Sequence, residues 1–427
     1  MVLTSSLLLA VLLIALMLVQ MPIALAMLLS AMTFLMSTTS IPMTIVPQRL
    51  WSALDSFPLL AIPYFVFAGV LFNESGGAER IFRFCLALVG HFRGGLGHVN
   101  VLGSMIFAGM SGSATADAAG LSRIEIDAMN RAGYEPGFSA AVSAASATIG
   151  PIIPPSVPLV VYGVMAQVSI WDLFLGGFLP GILMGVAMMV VVAWRARARN
   201  YPVQRRATFA IVVQEFRASF LALMAPVVIL GGLFAGIFTP TEAGVVASLY
   251  ALLLGFIYRN IRLAHLPGLL KESMLATSQI TFIVAAAGLF GWAVTHAQVP
   301  ALLTQALSAL TSDKYVILIL INLAMLVMGT FIDALALLIM MTPVVVPLGM
   351  SFGIDPVQLG LIVVLNCMIG LITPPVGLCL YIVADIAKAP LAAVARELVP
   401  FYVALIACLA LIVFFPAIVT VLPELAR

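Results

Sequence analysis

Runs of small, hydroxyl-bearing and proline residues interrupt an otherwise apolar chain at four places. They are residues 109–120 (GMSGSATADAAG), 148–156 (TIGPIIPPS), 329–334 (GTFIDA) and 370–375 (GLITPP). A proline removes an amide donor and clashes with the preceding helical turn, so a regular helix does not continue through the proline-rich runs. Glycines let the backbone approach a ligand, and freed carbonyls with Ser or Thr hydroxyls offer uncharged oxygens to a small cation such as Na⁺.

Two acidic residues, Asp117 and Asp333, lie within these runs and deepest in the predicted membrane segments. A charge at mid-membrane costs about 2.5–3.5 kcal/mol on insertion scales, so we expect each carboxylate to have a role. Each could cap the helix that follows its glycine-rich run, or bind an ion, and the two roles are compatible. Their spacing is about one helical turn short of the repeat offset given below, which favours equivalent helix faces. Glu242, in the run TPTEA, is expected to cap a helix.

The composition places these residues in a membrane protein. Of the 427 residues, 63% are hydrophobic and 8% are charged, whereas a soluble domain has roughly 25% charged residues. Apolar stretches of about 20 residues recur along the chain, and each can cross a ~30 Å hydrocarbon core. The chain has no polar stretch long enough to fold alone, no P-loop and a net charge of only +2, so neither ATP hydrolysis nor nucleic-acid binding is indicated. We predict an all-α polytopic protein that is not an enzyme and has no organic cofactor.

An internal duplication relates the four runs to one another. Gly150 and Gly370 are 220 residues apart, as are Gly109 and Gly329, and the offset near the start of each repeat is 218. We therefore predict one transport domain made of two repeats, about 1–210 and 218–427. The predicted spans are 5–19, 22–38, 57–73, 138–166 and 173–194, then 219–238, 241–258, 274–293, 357–384 and 397–422, with hairpins at 98–132 and 315–350.

The distribution of basic residues predicts the topology. If both hairpins are re-entrant, each repeat crosses the membrane five times and the second repeat is inverted relative to the first. With the linker 195–217 in the cytoplasm, all of the 19 Lys and Arg residues except Arg49, Lys314 and Arg427 are cytoplasmic, as the positive-inside rule favours. Both termini are then extracytoplasmic. The first apolar segment is expected to be a retained span and not a signal peptide.

The remaining polar features are predicted to be structural. The segments 48–56 and 264–273 are interfacial arm helices or ordinary loops. Neither the histidines nor the cysteines have metal-ligand spacing, and the cysteines are expected to be buried apolar residues. They are Cys85, Cys367, Cys379 and Cys408.

The motifs resemble those of a known transporter family. The runs GMSGSATADAAG, ATIGPIIPPSVPLVVYG, TPTEAG and NCMIGLITPPVGLCLYI are similar to the large membrane subunit of tripartite ATP-independent periplasmic (TRAP) transporters. The resemblance implies an elevator-type secondary transporter of the bacterial inner membrane, with Na⁺ as the coupling ion. It also implies an organic-acid substrate (a C4-dicarboxylate, a sialic acid or a related carboxylate), a periplasmic substrate-binding protein, and a small four-helix membrane subunit on a separate chain.

The resemblance also places the cation and substrate site at the two hairpin tips and the two broken spans. Ser113, Gly150, Thr330 and Thr373 are the strongest Na⁺ candidates. The full predicted set is Ser111, Gly112, Ser113, Thr115, Asp117, Thr148, Gly150, Pro151, Pro154, Pro155, Ser156, Gly329, Thr330, Asp333, Gly370, Thr373, Pro374 and Pro375.

Two alternatives differ in mechanism. A stand-alone sodium-coupled carboxylate carrier would share this architecture without a receptor, and the genes encoded alongside would distinguish it. An intramembrane aspartyl hydrolase would need Asp117 and Asp333 to share one site with a raised pKa. The duplicated Pro-Pro runs, for which a hydrolase has no use, weigh against this second alternative.

Overall fold

A computed structural model describes residues 2–37 and 41–426, with side chains from residue 6 onward, and all its regular elements are helices. The long helices are apolar along most of their length, and glycine, proline or capping residues stand at many of the helix ends. The helices of the first half are α1 (Val2–Leu18), α2 (Ile23–Ser37), α3 (Ile45–Leu54), α4 (Ala61–Glu74), α5 (Gly77–Val89), α6 (Gly95–Ser111), α7 (Ala114–Ala119), α8 (Leu121–Arg131), α9 (Pro136–Ala147), α10 (Val157–Ala166) and α11 (Ile170–Ala198).

The second half begins with a helix that is long and continuous. The second helix of this half begins at a capping box. The Thr239 hydroxyl accepts a hydrogen bond from the Glu242 amide, and the Glu242 carboxylate accepts one from the Thr239 amide, as expected for Glu242. The helices of this half are α12 (Phe209–Phe234), α13 (Pro240–Ile257), α14 (Leu266–His296), α15 (Val299–Ser308), α16 (Lys314–Gly329), α17 (Ala334–Ser351), α18 (Pro356–Gly370), α19 (Leu378–Ala387), α20 (Leu391–Phe414) and α21 (Ala417–Leu425).

Seven helical segments in the described part of the chain are long and apolar enough to cross a membrane. Both segments predicted to be broken spans are indeed broken: α9 and α10 are separated by residues 148–156, and α18 and α19 by residues 371–377. The all-helical, polytopic fold class predicted from the sequence is thereby confirmed. The segments are 57–74, 170–198, 209–234, 240–257, 263–296, 334–351 and 391–414.

The helices of the second half follow the same order as those of the first. The helices α6, α9, α10 and α11 begin 219, 220, 221 and 221 residues before α16, α18, α19 and α20. Both halves contain a hairpin followed by a broken helix and then a long helix. The duplication and the inversion of the two repeats stay predictions, because the helix order does not report orientation in the membrane.

Several boundaries differ from the predicted ones. The amphipathic helices α5 and α15 were not predicted, because their mixed polarity is typical of loops. In the first half a separate arm helix does occur, as α3, but the second predicted arm, 264–273, is mostly the start of the continuous α14. The predicted span 397–422 is interrupted at residues 415–416, where Pro416 is the N-cap of α21. The second arm of the first hairpin is itself divided at Gly120 into α7 and α8.

The helices pack into two groups. One, the frame group, consists of α1–α4 and α12–α14, in which α4 packs along α13, and α14 packs against α2 and α3. The other, the site group, consists of α6–α11 and α16–α21, in which α9 packs against α19 and α20, and α16 packs against α18. The helices α5 and α15 link the groups. The two groups meet where α4 contacts α6 and α10, and where α14 contacts α17.

Candidate functional site

A cavity of about 440 Å³ lies between the two groups, where the hairpin tips approach the frame helices. The first hairpin tip contributes residues 111–116, and the second contributes Asp333, Ala334 and Leu335. The two broken spans contribute Pro151, Val157, Pro158, Met368, Leu371 and Leu378, and the frame group contributes residues of α4 and α14. All four interrupted runs therefore place residues in the lining, and the fourth run contributes only Leu371.

The first hairpin tip is a tight turn closed by its own hydroxyls. Gly112 has a φ of +58°, and a Cβ there would lie 2.4 Å from the carbonyl oxygen of Pro155. Glycine is therefore required both by the turn and by the close approach of the broken span. Ser113 caps α7 by accepting a hydrogen bond from the Ala116 amide, and its Oγ lies 3.1 Å from the Thr115 hydroxyl. Two hydroxyl oxygens are thus close together at the cavity wall.

The break in the first broken span is held against this tip by hydrogen bonds. The Val157 amide donates to the Gly112 carbonyl oxygen over 3.4 Å. Ser156 caps α10 by accepting from the Leu159 amide at 3.2 Å, and its hydroxyl donates to the Pro151 carbonyl at 2.5 Å. The peptide bond between Pro154 and Pro155 is cis.

The second half repeats this contact. The Val376 amide donates to the carbonyl oxygen of Thr330 over 3.1 Å, so the second tip also bonds to the second broken span. Asp333 caps α17 by accepting from the amides of Leu335 at 3.1 Å and Ala336 at 3.5 Å. The peptide bond between Pro374 and Pro375 is cis as well. The second break is more open: Pro374 and Pro375 are exposed, whereas residues 151–156 are all buried.

The two acidic residues differ from each other in position and role. Asp117 is buried, accepts a hydrogen bond from the Ser111 hydroxyl, and has a second carboxylate oxygen, Oδ2, without a hydrogen-bond partner in the described chain. That oxygen lies 2.8 Å from the position of a Cβ on Gly150. Asp333 is exposed and lines the cavity. The prediction of equivalent faces was wrong. The capping role holds for Asp333, but at the first tip the cap is Ser113.

Not every predicted residue lines the cavity. Ser111, Gly112, Ser113, Thr115, Pro151 and Asp333 do. Thr148, Thr330 and Thr373 donate their hydroxyls to carbonyls of their own helices, at 2.6, 2.8 and 2.6 Å. Gly150 contacts Asp117, and Gly329 and Gly370 contact each other through backbone atoms. Pro154, Pro155, Ser156, Pro374 and Pro375 shape the breaks without reaching the wall.

Several polar residues of the site were missed by the sequence reasoning. Glu272 and Gln279 project from α14 into the cavity, and Asn73 projects from α4. On a long helix such residues are indistinguishable by sequence from a solvated face. Glu125 of α8 does not line the cavity, but it is 1% exposed, and neither of its carboxylate oxygens has a hydrogen-bond partner among the described residues. Its only sequence signal is a charge within a glycine- and serine-rich hairpin.

Buried asparagine side chains hydrogen-bond each hairpin to the helix beside it. In the first half, Asn100 of α6 donates to the Ser143 hydroxyl at 2.6 Å and accepts from Ser146 at 2.7 Å, both on α9. In the second half, Asn366 of α18 donates to Asn322 of α16 at 2.5 Å. A buried hydrogen bond contributes about 0.5–1.5 kcal/mol, and leaving one partner unpaired costs about 1–3 kcal/mol. These hydrogen bonds therefore tie each hairpin to the broken span of its own half.

The cavity wall is acidic and rich in neutral oxygens. Among the described lining residues Glu272 and Asp333 are charged, and none is Lys, Arg or His. The described chain also has no group of three or more His, Cys, Asp or Glu placed to hold a metal ion. A cation here would instead take hydroxyls, backbone carbonyls and at most a carboxylate, which are the ligands of hard cations such as Na⁺. All four cysteines are buried, as expected.

Comparisons with known proteins agree with this arrangement. The family described as "Tripartite ATP-independent periplasmic transporter, DctM component" matches residues 10–418. The chain is 42% identical over 406 residues, 95% of both chains, to the sialic acid TRAP transporter large permease protein SiaM of Vibrio cholerae. It is 37% identical over 377 residues, 88% of both chains, to the C4-dicarboxylate TRAP transporter large permease protein DctM of Pseudomonas aeruginosa.

A solved structure supports the fold. The YdaH transporter of Alcanivorax borkumensis superposes with a TM-score of 0.63 over 86% of this chain and 87% of that one, at 15% identity. Its likeness concerns the fold alone. Taken with the hairpin tips, the paired breaks and the family match over nearly the whole length, the chain belongs to the DctM family of TRAP transporter large permeases, which are multi-pass inner-membrane transporters and not enzymes.

Proposed function

We propose that this chain imports an organic acid across the inner membrane in symport with Na⁺, with sialic acid as the first candidate substrate. The substrate is delivered by a periplasmic binding protein, and a small four-helix membrane subunit completes the complex. The substrate suggestion rests on the 42% identity to a sialic acid permease. The relative named for C4-dicarboxylates, at 37% identity, keeps dicarboxylates in the same test.

The observation that carries the proposal is the cavity between the hairpin tips and the frame group. Its volume of about 440 Å³ is in the range of small-molecule sites, about 300–1,000 Å³. Broken helices at corresponding points of two repeats are the arrangement that transporters use to bind substrate and ion near mid-membrane. The paired hydrogen bonds from Val157 to Gly112 and from Val376 to Thr330 give both halves the same contact.

The charge of this cavity supports coupling to a cation. An organic anion would meet Glu272 and Asp333 without a basic side chain to offset them. Bound Na⁺ would supply the missing positive charge. The hydroxyls of Ser111, Ser113 and Thr115 in the cavity lining offer oxygens to such an ion, and so does the unpartnered Oδ2 of Asp117, a buried residue next to Gly150 that does not line the cavity. Each net positive charge that enters gains about 2.3 kcal/mol per 100 mV of membrane potential.

We further propose an elevator mechanism, in which the site group moves against the frame group. Each group is packed mainly within itself, and the cavity lies on the seam between them. A rigid support around the tips, as provided by the Asn100 and Asn322 hydrogen bonds, would carry substrate and ion as a unit.

The proposal is tested by reconstituting the complex in proteoliposomes with its small subunit and its binding protein. We expect uptake of radiolabelled sialic acid or succinate only with an inward Na⁺ gradient, and no dependence on ATP. Full uptake in sodium-free buffer driven by a proton gradient would reject sodium coupling. Uptake without the binding protein at the same rate would favour a stand-alone carrier.

The site assignment is tested by variants that remove one oxygen ligand. Ser113→Ala and Asp117→Asn should raise the half-saturating Na⁺ concentration by about five- to 150-fold, because one lost ligand costs about 1–3 kcal/mol. Thr33→Ala is a control, because Thr33 is an exposed residue of α2 that does not line the cavity and its hydroxyl donates to the Leu29 carbonyl at 2.8 Å. If both tip variants kept the wild-type sodium requirement, the tips would be packing features only.

A further inference from the structure

A second cavity, of about 770 Å³, lies at the other end of the seam between the two groups. It is bounded by α3, the end of α10, the second half of α14 and the middle of α17. The helix α14 connects it to the central cavity: residues 272–283 line the central cavity and residues 284–295 line the second one. The midpoints of these stretches are twelve residues apart, or about 18 Å along a helix.

One basic residue, Arg49, lines this second cavity. Its Nε is buried without a hydrogen-bond partner, and within the described chain no carboxylate lies within ion-pair distance of its guanidinium. The guanidinium carbon is 5.7 Å from the centroid of the Trp292 ring, which stacks on His296. The arginine is therefore oriented by an aromatic ring and retains unused donors.

The sequence sets this position through a glycine on α14. A Cβ on Gly288 would lie 2.2 Å from the Ala53 Cβ and 3.1 Å from the Arg49 carbonyl oxygen, so only glycine lets α3 lie this close to α14. Trp292 follows one turn later and contacts the Arg49 side chain. Helix α3 is thus fixed so that its arginine stands over the seam.

The two cavities differ in charge. The central cavity has two acids and no basic residue in its described lining, whereas the second has Arg49 together with one acid, Asp55. Ser52 adds a hydroxyl to the second cavity, and the Thr295 hydroxyl, which donates to the Gly291 carbonyl at 2.8 Å, adds an oxygen. A free organic anion is therefore favoured in the second cavity, and in the central cavity it needs bound cations. The topology prediction places Arg49 among the three extracytoplasmic basic residues.

We propose that the second cavity is a separate organic-anion site, in which Arg49 binds the carboxylate of the substrate before it reaches the central cavity. This inference rests on the proposed function, since it assigns the same substrate class a second position. A guanidinium that presents paired N–H groups suits a carboxylate, and Lys in its place keeps the charge without that geometry. Arg49 is a binding residue of this site and has no role at the hairpin tips.

The test is protection of an introduced cysteine in proteoliposomes that contain the large and small subunits without the binding protein. Thr295→Cys is exposed in the cavity, and the four native cysteines are buried, so an impermeant maleimide should label it selectively. We expect sialic acid to slow labelling and its methyl ester, which lacks the anionic carboxylate, to have little effect. Adding Arg49→Ala should raise the half-protecting concentration by about ten-fold or more, which is about 1.4 kcal/mol.

Two further variants make the result specific. Arg49→Lys should lie between the wild type and Arg49→Ala, and Lys314→Ala, a basic residue predicted on the same side of the membrane but outside the cavity, should not change protection. Equal protection in Arg49→Ala, or by the methyl ester, would overturn the inference. The proposed function and the second site are tested by different results. Absence of sodium-driven uptake by the wild-type complex rejects the proposed function, whereas protection that is unchanged in Arg49→Ala rejects only the second site.

Discussion

The substitution Gly370→Ala should separate the second hairpin tip from its broken span. Gly370 is the last residue of α18, and a Cβ there would lie 2.6 Å from the carbonyl oxygen of Gly329 and 2.9 Å from its carbonyl carbon and Cα. All three atoms belong to the backbone, so no side chain can rotate away. The tip must move, or α18 must end earlier.

The cost of this movement follows from the distances. Ordinary van der Waals contact begins at 3.4 Å, so the tip must retreat by about 0.8 Å. Overpacking of this kind costs about 1–3 kcal/mol. The hydrogen bond from the Val376 amide to the Thr330 carbonyl is now 3.1 Å long, and this movement would stretch it past hydrogen-bonding distance. Its loss costs a further amount of about 0.5–1.5 kcal/mol. A total of about 1.5–4.5 kcal/mol lowers the population of the closed tip by about 12- to 1,600-fold.

The assay is initial-rate uptake into proteoliposomes, together with the melting temperature of the purified protein in detergent. Gly231→Ala is a matched control, because no atom lies within 4 Å of the added Cβ and a helical alanine gains about 0.5–1 kcal/mol. We expect Gly370→Ala to lose about ten-fold or more in uptake while remaining folded, and Gly231→Ala to transport normally. Uptake by Gly370→Ala within about two-fold of wild type would show that the tip contact is dispensable.

Three further predictions concern the sodium site, the ion-pair network and the topology. Thr330→Ala removes a hydroxyl beside the second tip, and half-saturation measurements should show a raised sodium requirement, whereas an unchanged value would leave this tip without a ligand role. Glu397→Gln weakens the contacts of the Glu397 carboxylate to Arg195 at 2.5 Å and to Arg199 at 2.6 Å. The melting temperature should fall by several degrees, since a charged hydrogen bond contributes about 1.5–3 kcal/mol. An unaltered melting temperature would mean that these ion pairs do not stabilise the protein. Cysteines placed beside Arg123 and Lys314 should react with impermeant reagents from opposite sides of the membrane, and labelling of both from one side would exclude inverted repeats.

The positions of the helix breaks could be predicted because clustered prolines determine them, whereas isolated prolines such as Pro180 and Pro226 lie inside continuous helices. Pro151, Pro154 and Pro155 cannot be accommodated in a regular helix, and the same holds for Pro374 and Pro375. Those runs do separate α9 from α10 and α18 from α19. Local chemistry was sufficient for this part of the fold.

The partners across the site could not be predicted, because they depend on tertiary packing. The sequence places Asp117 and Asp333 in similar contexts, yet one packs against Gly150 and the other faces the cavity. The segment 264–273 was predicted to be an arm helix or a loop, but residues 266–273 lie inside α14, whose Glu272 lines the cavity. Only the arrangement of neighbouring helices distinguishes these positions.

The segment between α11 and α12 limits how far the site group can be displaced relative to the frame group. Arg199 is bound to Glu135 at 2.7 Å and to Glu397 at 2.6 Å, and Tyr201 stacks on Tyr134 with ring centroids 4.2 Å apart, so the start of the connection is anchored to the site group. The part of the connection that is not anchored in this way runs from Tyr201 to Phe209, which are eight residues apart. A fully extended chain of that length reaches about 26–29 Å. That reach is just below the ~30 Å thickness of the hydrocarbon core. The anchored end of α11 can therefore travel no farther than this from the start of α12, and each residue deleted from 202–208 would shorten the permitted stroke by about 3.3–3.6 Å.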